Sequence, residues 1–198
     1  MNPLSSVRGA IMAGVILAVI MMLAIEPRGF AELGLAIWIH IVAGVMWIGL
    51  LYYLNVVHAP GLEAAAADRG GPGGAGLNKY IAPRALLWFR WSAVATWLTG
   101  VWYLARANNL ANAMSLGRLG RDHYGLVIGI GGWLGTIMLL NGWLLIWPAQ
   151  KRILGLVPAT EQQRAQARRV AGLANRVNFV LSVPLLLCMG GANHPLPF

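Results

Sequence analysis

Charge is scarce in this sequence: 11% of its residues are charged, against roughly a quarter in a soluble domain. That shortage excludes an ordinary solvent-facing surface. Cysteine is nearly missing too. Cys188 is the single one and sits in an apolar run, so an intrachain disulfide is excluded, and no Cys-x-x-Cys-His motif exists for covalent haem attachment. The six acidic residues are Glu26, Glu32, Glu63, Asp68, Asp122 and Glu161, all expected in loops or at helix ends. A proton pump or cation carrier usually keeps an ionisable group deep in the membrane. Its absence argues against transport and removes paired-carboxylate chemistry from the interior. No nucleophile elbow, phosphate-binding loop or dinucleotide fingerprint is present. The short Gly-x-Gly patterns fall in apolar or flexible segments, where they carry no phosphate-binding weight.

What is abundant is apolar sequence. Hydrophobic residues make up 58% of the 198-residue chain, and nine are tryptophans. A bilayer-crossing helix needs about 20 mostly apolar residues. Five segments approach that length, at about 9–25, 33–57, 85–105, 124–147 and 177–192. The expected fold is therefore all-α: a single polytopic membrane bundle of about five transmembrane helices spanning residues 1–198. The first segment follows Arg8 as a signal peptide would, but no clean Ala-x-Ala cleavage site follows, so a retained helix is expected. The glycine-rich run 70–76 reads as a flexible loop. Thr160 with Gln163 makes a capping box that should open a polar surface helix over 160–175.

Net charge is +9, a value that elsewhere suggests nucleic acid. Here the basic residues lie between apolar runs, so lipid headgroups are the expected counter-ions and no nucleic-acid partner is expected. Their placement sets an orientation. With the N-terminus in the cytoplasm, eleven of the fifteen Lys and Arg residues fall on the inner side. Arg28, Arg106, Arg118 and Arg121 fall outside. The positive-inside rule then places the C-terminus in the periplasm of a bacterial inner membrane. Trp88, Trp91, Trp102, Trp143 and Trp147 fall near helix ends, where indole rings favour the interface.

This orientation sorts the four histidines. His40, His123 and His194 come to the outer face. His58, 18 residues after His40, lies about 27 Å further along the helix, near the inner face. Histidines on different helices at one membrane face suit metal or haem ligation, with His40 and His194 the first pair and His123 the alternative. They equally suit interfacial polar roles, and spacing does not separate the two. Gly44, one turn from His40, would let a flat macrocycle or a second helix approach, and Trp47 follows at two turns. Arg90 either snorkels to the inner headgroups beside its tryptophans or faces a buried anion such as a haem propionate. Gly125, Gly129, Gly131, Gly132 and Gly135 suit close helix packing. Asn55, Asn141 and Asn178 suit interhelical hydrogen bonds, and Pro184 should bend the last helix.

Four blocks are familiar in order. They are Trp38 to Gly49, Arg84 to Trp91 with Thr96 to Gly100, Ile146 to Lys151, and Met189 to His194. Together they resemble the membrane domain of the bacterial urate oxidase family called PuuD. The His40, Gly44, Trp47 pattern also resembles the haem-associated membrane proteins that include the HemJ-type protoporphyrinogen oxidases. The resemblance implies a membrane-embedded oxidoreductase that oxidises urate and passes electrons to a cytochrome c. Without a haem-c motif in this sequence, the electron acceptor is expected to be a separate cytochrome or larger membrane complex. A b-type haem near the periplasmic face is the cofactor this reading implies. The alternative is a non-catalytic accessory subunit of a respiratory or photosynthetic electron-transfer complex.

Overall fold

The computed structural model describes residues 2–25 and 31–194. Glu26 and Arg28, which figure in the charge reading, lie outside the described residues. Among the described residues there is no β-strand. A 3-10 turn at Pro3–Ser5 precedes α1 (Val7–Ile25). Then come α2 (Glu32–Ala67), α3 (Ala82–Arg106), the short α4 (Leu110–Met114), α5 (His123–Ile153) and α6 (Glu161–Gly191).

Helices α1, α2, α5 and α6 are long and apolar enough to cross a membrane, and they make the chain a multi-pass membrane protein in contact with lipid. With 25 residues, α3 reaches roughly 37 Å, but Arg84, Arg90 and four tryptophans lower its apolar character. The chain divides into two compact units, 1–32 and 33–198. In the first, α1 is apolar apart from Arg8 and none of its residues is buried.

Proline shapes three of the helices. A π-helical turn occupies Tyr53–His58 within α2, another, Leu77–Ile81, leads into α3, and a third occupies Gly142–Ile146 within α5. Each ends two residues before a proline: Pro60, Pro83 and Pro148. Proline lacks the N–H that would bond four residues back, and its ring presses on that carbonyl. A wider turn just upstream relieves the clash while the helix continues. This is why α2 runs on to Ala67 and α5 to Ile153, past the ends that hydropathy suggests. Pro184 is carried inside α6 without such a turn.

The polar stretch 160–175 and the apolar stretch 177–192 form one helix, α6, opened by the Thr160–Gln163 capping box. At 31 residues it reaches roughly 46 Å, well beyond a hydrocarbon core of about 30 Å. Its first third continues to pack on the end of α5 through Ala149, Ala167, Ala171 and Ile153.

The main core of the second unit joins four helices. Trp47, Leu51 and Leu54 of α2 meet Leu86, Phe89 and Ala93 of α3, Met138 and Ile146 of α5, and Ala174 and Leu185 of α6. The α5–α6 contact is close because glycine faces it. A methyl added at Gly131 would stand 3.0 Å from Cys188 Cβ, and one at Gly135 would stand 3.4 Å from Leu185 Cδ1. Gly129 instead backs onto the Ala113 carbonyl of α4. Buried asparagines tie the same two helices. Asn178, fully buried, donates to the Met138 carbonyl at 3.0 Å, and Asn141 donates to Asn178 Oδ1 at 2.7 Å and to the Ala174 carbonyl at 2.8 Å. Asn55 differs from the interhelical expectation: its amide bonds the Leu51 carbonyl of its own helix.

Candidate functional site

His40 lies on α2 against α3. Its Nδ1 is 2.8 Å from the carbonyl oxygen of Thr96. A carbonyl only accepts, so this nitrogen carries the proton and donates it. That fixes the tautomer and leaves the lone pair on Nε2. His40 has no other hydrogen bond among the described residues. Gly100 makes the approach possible. A Cβ there would come to 2.9 Å from His40 Cε1 and 3.1 Å from Nδ1, so any side chain would push the ring away. One turn along α2, a Cβ added at Gly44 would stand 3.6 Å from Thr96 Cγ2. Gly44 thus faces α3, and helix contact accounts for its side of the seam.

This arrangement suits a ligating histidine. Metal-bound histidines almost always donate their other ring N–H to a carbonyl or carboxylate, which orients the ring and raises its basicity. His40 therefore has one ring nitrogen held in place and the other chemically able to act as a ligand. Among the described residues no group of three or more His, Cys, Asp and Glu is placed to hold a metal ion.

His123 is the first residue of α5, exposed, directly after the helix-capping Asp122. His194 is exposed and lies three residues beyond the end of α6. Neither shares a hydrogen bond with His40. His58 is 8% exposed at the end of the α2 π-turn, its Nδ1 3.5 Å from the Tyr53 hydroxyl, a long and weak contact. Trp47 is in the core at 2% exposure, and its indole N–H is enclosed without an acceptor.

Arg90 sits away from the histidine, toward the start of α3. Its guanidinium stacks on the Trp147 ring at 3.3 Å, lies 5.5 Å from the Trp143 ring, and donates through Nε to the Leu86 carbonyl at 3.2 Å. Trp91 packs edge-on against Trp143 at 5.7 Å.

The connection before α5 is held by Asp122. It accepts from the Gly125 backbone N–H and from the Asn112 side chain, both at 2.6 Å. These two bonds, the backbone one first, hold its carboxyl below the usual aspartate range.

Thr96 and Gly100 were not singled out as site residues by composition or spacing. A backbone carbonyl 56 positions from its partner leaves no mark in the sequence. The one available signal is that Gly100 is the single glycine of α3. No family model, curated protein or solved structure matches this chain.

Proposed function

We propose that the protein is a membrane-embedded redox protein of the bacterial inner membrane, similar to the urate oxidase membrane domain, that holds b-type haem through His40. The single observation that carries this reading is the His40 geometry, with Nδ1 engaged by Thr96 and Nε2 left for a ligand. In the same reading α3 is a fifth span, the N-terminus faces the cytoplasm, and His40 lies toward the periplasmic side. A bound haem would supply one-electron transfer. This chain's own part is to orient the ligand ring through the Thr96 carbonyl, keep it close to α3 through Gly100, and hold it among apolar helices. His194 is the proposed second ligand and His123 its substitute. A separate cytochrome at the periplasmic face is the proposed electron acceptor.

A reduced-minus-oxidised absorbance spectrum of the purified protein tests this directly. Haem b bands that vanish in His40→Ala and change in His194→Ala are expected. A colourless, iron-free preparation from cells supplied with haem precursors overturns the reading. The second reading, an accessory subunit of a larger electron-transfer complex, draws on α1, an apolar helix none of whose residues is buried. Co-purification of redox subunits in mild detergent is expected there, with no spectral change in His40→Ala.

A further inference from the structure

The geometry points to a binding site for the phosphate of an anionic phospholipid where the beginning of α3 meets the end of α5. Two cations share one indole. Arg90 lies 3.3 Å above the Trp147 ring, and Lys151 Nζ lies 5.9 Å from the same ring. Neither makes an ion pair with a carboxylate among the described residues. Among the described residues Arg90 bonds only through Nε, and the two terminal nitrogens of its fork meet no acceptor there. Stacking fixes the plane of that fork, which is pre-organised for two oxygens of one phosphate. Lys151, one turn beyond Trp147, adds a second positive charge. Trp143 belongs to the same cluster, and its indole N–H is enclosed and without an acceptor.

Both charges lie within 6 Å of one ring centroid, and like charges repel at a cost that a neighbouring anion would offset. The surroundings select a lipid over a free ion. Leu87, Trp88 and Trp91 of α3 and Leu144 and Leu145 of α5 are all exposed apolar side chains. They flank the cations along the two helices, giving acyl chains a surface beneath the headgroup. A zwitterionic lipid brings its own ammonium to a site already holding two cations. An anionic headgroup does not, so charge complementarity favours phosphatidylglycerol-type lipids.

The test is thermal unfolding of the full chain, delipidated in an uncharged detergent. It is repeated with added dioleoyl-phosphatidylglycerol, dioleoyl-phosphatidylcholine or inorganic phosphate. Phosphatidylglycerol should raise the midpoint, and the other two should leave it nearly unchanged. The gain should disappear in Arg90→Gln and fall by at least half in Lys151→Gln. It should persist in Arg152→Gln, which removes a neighbouring exposed charge outside the cluster. Lys151→Gln keeps the test decisive if Arg90→Gln does not fold. An equal gain with phosphatidylcholine, or equal losses in the Arg152 and Lys151 variants, overturns the site. An equal gain from inorganic phosphate overturns the lipid. If Arg90→Gln keeps the lipid gain but loses haem absorbance, the anion Arg90 serves is a propionate and the proposal fails.

Discussion

The seam between α5 and α6 and the seam between α2 and α3 are built on opposite principles. At the first, glycines let the helices close, and Asn141 and Asn178 make three interhelical hydrogen bonds. Every amide hydrogen bond made there points inward. At the second, one histidine nitrogen meets one backbone carbonyl, a glycine clears space for the ring, and the other nitrogen stays uncommitted. The three hydrogen bonds of the first seam are made within the protein. The second leaves one ring nitrogen without a hydrogen-bond partner among the described residues. The difference separates what holds the bundle together from what equips it.

The comparison is broken most directly at Asn178. Asn178→Leu removes its own bond to Met138 and strands one Asn141 donor, so a loss of about 1–3 kcal/mol is expected. Reversible unfolding in a denaturing detergent measures it. Next is Gly100→Ala, whose new methyl collides with His40 and should cost about 1–2 kcal/mol while shifting or removing the haem absorbance. An unchanged spectrum would mean the ring does not need this approach. His40→Ala loses one polar contact between helices, worth roughly 0.6 kcal/mol in membranes. Its stability cost should be the smaller even though its spectral effect is the larger. If it destabilises as much as Asn178→Leu, the contrast between the seams collapses.

The smallest effect concerns pH. Asp122 has its folded-state acidity strengthened by the Gly125 and Asn112 bonds. A lowered folded value means its contribution is fully present above the ordinary aspartate range. It is lost as pH falls through that range toward the folded value. The melting temperature should therefore drop on acidification below about pH 4, and less steeply in Asp122→Ala. Identical slopes would show that the cap carries no such linkage.

The all-α membrane architecture was readable because it rests on composition. Long apolar runs and absent interior charge leave no other fold for a bilayer. The Thr160 capping box was readable because it is local. Helix lengths were less so. The apolar runs at 33–57 and 124–147 end where hydropathy falls, but hydrogen bonding continues through Pro60 and Pro148 once a π-turn absorbs the ring. The surface helix and the last apolar run merge because nothing between Asn175 and Val177 breaks a helix. Of the candidate site, His40 stood out as a histidine within an apolar helix. Its partner did not, since Thr96 contributes a carbonyl that every residue owns. Arg90 was visible among tryptophans, but the ring it stacks on comes from another helix. The asparagines show the same limit: Asn141 and Asn178 bridge helices while Asn55 turns back on its own, and composition does not tell them apart.

The π-turn at 142–146 also acts on phase. An extra residue in a helical turn rotates everything after it by about 100° relative to an uninterrupted helix. The α5 surface that meets α6 at Gly131 and Gly135 and the surface carrying Trp147 and Lys151 therefore belong to two different helical wheels. One wheel drawn over 123–153 would blur both. Pro148→Ala with all of residues 142–146 retained would let the π-turn close into an α-turn and put α5 on a single wheel. It would swing Trp147 and Lys151 off Arg90 while leaving the glycine face in register.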